Sequence, residues 1–221
     1  MTVAKHDAEA GAELGKAKVA ILEATLRHVP FEGWSARALQ MGAKEAGVPD
    51  AVLLQAFPRG PADLFRYFMD ISDRQMVTAL KTKDLGAMRF RDRVALAIRT
   101  RLEQNASRRE ASRRLASYLL LPPNAPLAAA AVWRTADAIW HALGDRSADF
   151  SYYTKRSLLA GVYASTFFCW LNDSSEGFAD TWAFLDRRIA DVMRIPEIRG
   201  RAEKLVGCVT GPLKRRWAAR R

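Results

Sequence analysis

Signatures of catalysis and metal binding are scarce in this chain. Its three histidines, His6, His28 and His141, are scattered, none has the ligand spacing that builds a metal site, and Glu-x-x-His is absent. No GxSxG, GxGxxG or P-loop occurs, so nucleophile, dinucleotide and phosphate-cradling chemistries lack their usual patterns. The expectation is a protein that is not an enzyme and has no catalytic residue, metal or cofactor. Two cysteines, Cys169 and Cys208, are too few for a disulfide framework and read as free thiols. Neither repeats nor low-complexity tracts occur, and no β-type alternation competes with helical periodicity, which predicts an all-α fold. The start, MTVAKHDAEAGAELGKAK, has no apolar export core and carries Asp7, Glu9 and Glu13, which predicts a cytosolic product or one already processed.

What is present is ample apolar material and an uneven charge. Hydrophobic residues make up 49% of 221, enough for one generous globular domain. Net charge is +11, yet residues 199–221 hold eight Lys or Arg against Glu203 alone, so +7 of it sits in that segment. Charge concentrated in one segment points that segment at an anionic surface.

In chain order, residues 12–29 place Leu22, Leu26 and Val29 on one stripe and close at a glycine turn before Trp34. Ser35 starts a short helix, and two more follow in VPDAVLLQAFPRG and PADLFRYFMDISDRQMVTAL, with Asp50 and Pro61 at helix starts. Helices are predicted over 89–105, striped by Val94, Ile98 and Leu102, and over 107–121, striped by Ala111, Leu115, Tyr118 and Leu119. LLPPNAPL is a sharp break, because paired prolines remove amide donors and push the preceding residues out of helix. A helix then begins near Leu127 with Trp133, Ala136, Trp140 and Leu143 on its buried stripe. Between Trp140 and the next helix runs GDRSADFSYYT, polar and aromatic together. Lys155–Leu171 carries apolar residues on every face and is expected to be enclosed. Residues 179–195 show one stripe, Trp182, Leu185, Ile189 and Val192.

The run from Ala20 to about Leu80 resembles the helix-turn-helix head of tetracycline-repressor-type regulators, through Gly33, Ala43, Gly47, Val48, Phe57 and Leu64. The positions that would meet DNA depart from that pattern: Pro49, Asp50, Leu54 and Gly60 stand where those regulators carry serine, a cation, tyrosine and lysine. Residues 35–60 carry a net charge of only +1, too little for a phosphate footprint. The head has the outline of a DNA reader without its chemistry, and no nucleic-acid partner is expected. The division drawn from this is a degenerate head at 12–80, a helical body at 81–196 and a basic tail at 197–221.

Large rings crowd the second half. Trp140, Tyr163, Phe167 and Trp170 fit either a filled helical core or the wall of an apolar cavity that takes a lipid or isoprenoid tail. The stretches LLPPNAP, WHALGDRSADFSYYTKR and DSSEGFADTWAFLDRRI, in that order, resemble the Coq-nine family of coenzyme Q biosynthesis, most strongly over Leu120–Ile189. The resemblance implies a repressor-like fold with an apolar pocket. It further implies binding of lipids, including isoprenoids, as ligand, and a supporting role for the demethoxyubiquinone hydroxylase. It implies a partner patch at Asp149, Tyr152, Tyr153 and Arg156, with Tyr152 where animal members carry tryptophan. Read without the resemblance, Asp149 is a helix-start acid and Arg156 a solvated cation.

In the tail, Val206, Val209, Leu213 and Trp217 share one face flanked by Lys214, Arg215 and Arg216, while Gly207, Gly211 and Pro212 weaken the helix in water. That pattern fits an interfacial helix ordering on anionic lipid, or a disordered basic tail; it lacks the run of about twenty apolar residues needed to span. The expectation is peripheral attachment to the inner face of a membrane, on the matrix side if the protein is organellar. The runner-up reading is a repressor-type regulator with an apolar effector pocket. By analogy with repressor-type folds, a homodimer pairing Lys155–Leu171 and Ala179–Ile195 is also expected.

Overall fold

The computed structural model describes the backbone at residues 2–144 and 150–194, and side chains at 10–144 and 153–194. Among the described residues every regular element is a helix. In order these are α1 (Thr2–Glu32), α2 (Ala36–Glu45), α3 (Asp50–Ala56), α4 (Pro61–Lys81), α5 (Phe90–Glu103), α6 (Arg109–Leu119), α7 (Ala125–Ala142), α8 (Phe150–Asn172) and α9 (179–194). Short 3-10 turns at Ala106–Arg108, Pro122–Asn124 and Glu176–Phe178 join the later ones.

Local chemistry sets the boundaries. Gly33, at φ +66, breaks α1, and its amide bonds Val29 O at 2.9 Å. Ser35 caps α2 by accepting from the Ala38 amide at 3.1 Å, and Pro61 opens α4 where its missing N–H costs nothing. Asp50 lies one residue inside α3, whose cap position is Pro49. α2 lies so close on α1 that a Cβ on Gly42 would stand 2.7 Å from Thr25 Cα. α1 extends well before residue 12: the Ala-, Glu- and Lys-rich start has high helix propensity but no apolar stripe for periodicity to detect.

Two apolar clusters stack along the molecule. The first joins Ile21, Leu22 and Trp34 to Leu64, Phe65 and Phe68; the second joins Met76, Leu80, Ile98 and Leu102 to Ile139, Tyr163, Trp170 and Leu185. α4 contributes to both, so the division at 80/81 follows the end of a helix that unites the two. Trp34 ties head to body, donating its indole N–H to Ala111 O at 3.0 Å.

Three expectations are corrected. α8 begins at Phe150, so FSYYT forms its first turns and is not a connection. On α7, Trp133 and Leu143 are half-buried while Thr135 and Ile139 are buried, because the helix starts at Ala125 and the face toward α4 and α8 is rotated from the aromatic stripe. Among the described residues α8 is not enclosed: it buries Leu159, Val162, Tyr163, Thr166 and Trp170 but exposes Gly161 and Phe168, since its described neighbours cover only one side. The α9 stripe is as read, with Leu185 and Ile189 buried and Asp186, Arg187 and Arg188 outward.

Candidate functional site

Along the second half of α8 the rings stand in series. Tyr163 meets Phe167 at 6.3 Å between centroids, Phe167 meets Trp170 at 6.0 Å, and Trp170 meets Phe178 at 6.1 Å. Tyr163, Phe167 and Trp170 line an apolar cavity of about 180 Å³, closed on the other sides by Phe68, Leu102 and Leu115. Its rim includes Leu120 and Phe168, both exposed. A dry cavity of about 150 Å³ accommodates benzene, so this one takes a single ring or a short branched segment. Trp140, expected on the same wall, is elsewhere. It lines a separate apolar groove of about 310 Å³ with Phe90, Leu158, Ile189 and Met193. The reason is position on α8: the groove lies against residues 155–162 and the cavity against 163–170. Phe90 stacks on Trp140 at 5.3 Å, and Lys155 Nζ lies 5.6 Å from the ring.

The cavity has a polar inner end that sequence reasoning missed. Arg101, 3% exposed, donates through Nε to Asp73 Oδ1 at 2.8 Å and through Nη2 to Met69 Sδ at 3.5 Å. Thr135 donates to both Asp73 oxygens at 3.0 and 3.2 Å, and Ser72 donates to Asn105 Oδ1 at 3.3 Å. Burial works against the charge on Arg101, but Tyr163 and Asp73 outweigh it and raise the guanidinium further. Burial also raises the Tyr163 phenol. A signal existed: Arg101 follows Ile98 by three residues and Val94 by seven, a cation on the apolar stripe of α5.

Of the four positions assigned to the partner patch, the side chains of Tyr153 and Arg156 are described, and they differ in exposure. Tyr153 is exposed, its ring 6.2 Å from Trp133. Arg156 is buried at 1% exposure and donates to Asp137 on α7, because an α8 beginning at Phe150 turns this position inward. It is neither a solvated cation nor an open contact. Asp149 and the Tyr152 side chain lie outside the described residues, as do the tail positions Val206, Val209, Leu213, Lys214, Arg215, Arg216 and Trp217 and the thiol of Cys208.

DSSEGFADTW, between α8 and α9, is a structural clamp. Asp173 accepts from Ser175 N at 2.7 Å, Ser175 Oγ at 2.6 Å, Thr181 N at 2.8 Å and Thr181 Oγ1 at 2.6 Å, fixing the first turn of α9. Burial alone would raise its carboxyl, but these bonds outweigh it and hold the group well below the usual carboxylate range. Arg109 and Arg113 of α6 close over the end of α8, both donating to Leu171 O, with Arg109 also bonding Asp173 O.

On the head, the outward face of α3 presents Asp50, Ala51, Leu54 and Gln55, with no cation. Among the described residues no group of three potential ligands gathers for a metal ion, and no single helix is long and apolar enough to cross a membrane.

Residues 125–196 match the COQ9 family model. The chain is 34% identical over 202 residues to the mitochondrial ubiquinone biosynthesis protein COQ9 of Rattus norvegicus, covering 86% of this chain and 64% of that one. It is 32% identical to the Homo sapiens protein of the same name, over 86% and 63% of the two chains, and 34% identical to that of Drosophila melanogaster, over 87% and 60%. The chain therefore spans less than two thirds of the length of these relatives. Among solved structures, a TetR transcriptional regulator from Nitrosomonas europaea superposes with a TM-score of 0.64 at 21% identity, over 80% of this chain and 98% of that one, a likeness of fold.

Proposed function

The chain carries a COQ9-family domain at residues 125–196 and is homologous to COQ9 proteins over most of its length, and we propose that it serves ubiquinone biosynthesis as a lipid-binding accessory protein. In this role it presents a polyprenylated intermediate to the demethoxyubiquinone hydroxylase at an anionic membrane surface and performs no chemistry itself. The observation that carries the reading is the aromatic-walled cavity against α8: Tyr163, Phe167 and Trp170 all fall inside the matched domain and face one hollow.

The size of the hollow bears on how such a lipid sits. At about 180 Å³ it admits a ring or one isoprene-sized segment, and the remainder of the chain leaves past Leu120 and Phe168. The α3 surface lacks the cations of a DNA reader, which favours this reading over a repressor. Tyr153 is the described residue of the partner patch open to a hydroxylase, and the 199–221 segment supplies the charge for anionic lipid. Two copies pair through the outward sides of α8 and α9. Attachment is to the inner face of a membrane, on the matrix side in an organelle, as the mitochondrial relatives favour.

The test is reconstitution. Vesicles containing demethoxyubiquinone and purified hydroxylase are assayed with and without the full chain. The proposal requires the chain to raise turnover and to lose that effect when Ala128, on the cavity wall, is replaced by Phe. Equal turnover in its presence and absence overturns it.

A further inference from the structure

Arg101 is nearly completely buried, yet its hydrogen bonding is incomplete. Nε is used by Asp73 and Nη2 by Met69 Sδ, while Nη1 has no protein acceptor among the described residues, and the side chain lines the α8 cavity. Ser112, 2% exposed and on the same wall, also has an Oγ with no hydrogen-bond partner among the described residues. An arginine carries five N–H donors, and neither Nη1 nor Ser112 Oγ is among the fully enclosed atoms that lack a partner, so both keep accessible surface for an acceptor. Asn105 lines the same hollow with its amide N–H donating to Arg101 O, and Trp170 Nε1 there has no partner among the described residues; the rest of the lining is hydrocarbon, sulfur or aromatic side chain.

We propose that Arg101 Nη1 and Ser112 Oγ form a reading site for a neutral acceptor oxygen, such as a carbonyl or methoxy, on an otherwise apolar ligand that enters the cavity ring first. The proposal rests on the lipid-binding reading and deepens it by assigning which end of the ligand goes in. Charge decides the chemical class. Asp73 already balances Arg101, so the site has donors to offer but no net positive charge to offset a buried anion. A carboxylate or phosphate would lose its hydration without a counter-charge. A ketone or aryl ether loses little and gains a charge-assisted hydrogen bond. A hydrocarbon end fills the space and leaves Nη1 unmet. Thr135 fixes the Asp73 carboxylate, and Asp73 in turn holds the Arg101 guanidinium, so no side chain must be ordered when the oxygen arrives.

The experiment titrates the full chain by NMR with three one-ring probes of similar size: acetophenone, ethylbenzene and benzoate. Acetophenone is expected to bind at least about tenfold more tightly than ethylbenzene, the discrimination given by one buried hydrogen bond to a charged donor, and benzoate more weakly than either. Arg101→Met alone strands Asp73, so the decisive variant is Asp73→Asn with Arg101→Met, which removes both charges and keeps an acceptor for Thr135. In it the two neutral probes should bind alike, with ethylbenzene affinity as in the parent chain. Ser112→Ala, which touches no ion pair, should lose part of the preference. Equal binding of acetophenone and ethylbenzene to the parent chain overturns the oxygen-reading role while leaving the lipid reading intact. Tightest binding by benzoate overturns the assignment to neutral ligands. Binding of none of the three overturns the cavity as a ligand site, and the lipid reading of it falls too.

Discussion

Asp137 on α7 and Arg156 on α8 form an ion pair whose guanidinium is fully enclosed while the carboxylate is half-buried. Asp137 also lies 3.3 Å from His141 Nδ1, so one acid holds together the end of α7 and the second turn of α8. Truncating Arg156 empties an enclosed site and takes this cation from the half-buried Asp137 carboxylate, a loss dominated by packing and worth about 2 kcal/mol or more. Arg156→Ala should therefore lower the melting temperature sharply, and any loss of hydroxylase binding it shows follows from the fold. Tyr153→Ala should melt like the parent chain and weaken the hydroxylase complex by about 2 kcal/mol, as an interface anchor does. Thermal melts run beside pull-downs of the two variants separate a structural pair from a surface contact.

Much of the architecture was legible in the residues, and the shortfall has a physical pattern. Ser35, Pro61 and LLPPNAP mark boundaries through backbone chemistry that acts locally, and they fall where expected. The α9 stripe is equally plain, because Leu185 and Ile189 share one face with polar residues opposite. Periodicity, however, registers only apolar residues. It said nothing of Asp73 and Arg101, whose pairing joins α4 to α5 across 28 positions, and it left Arg156 on the surface although Asp137 draws it inward. Rings alone did not divide the cavity of Tyr163 from the groove of Trp140, since that depends on which turns of α8 each neighbouring helix covers. DSSEGFADTW carried the family likeness, and its residues hold a turn together.

The Asp173 clamp should show in acid stability. Its folded carboxyl lies below the unfolded value of about 3.9, because the bonds from Ser175 and Thr181 exceed the opposing effect of burial. A depressed acid contributes stability that is full above the unfolded value and is lost as pH falls through the folded one. Unfolding free energy measured by denaturant titration should thus decline steadily below about pH 5. Asp173→Asn should be less stable at neutral pH, by about 2 kcal/mol or more, and should decline less steeply on acidification. Parallel curves for the two proteins would remove Asp173 from the account.

Deleting 199–221 takes away +7 of charge together with Trp217. The stripes of the body remain, so the shortened chain should melt as before and lose most of its binding to anionic vesicles. Unchanged flotation after the deletion would place the membrane contact on the body.

The claim at the centre is that the α8 cavity holds an isoprenoid lipid, and native mass spectrometry of the full chain purified without added lipid addresses it directly. The predicted result is an added mass that fragments as a polyprenyl quinone or its precursor, present in the parent chain and lost in Ala128→Phe, whose ring occupies the cavity. A chain that carries no lipid, or one whose bound lipid is untouched by Ala128→Phe, would contradict it.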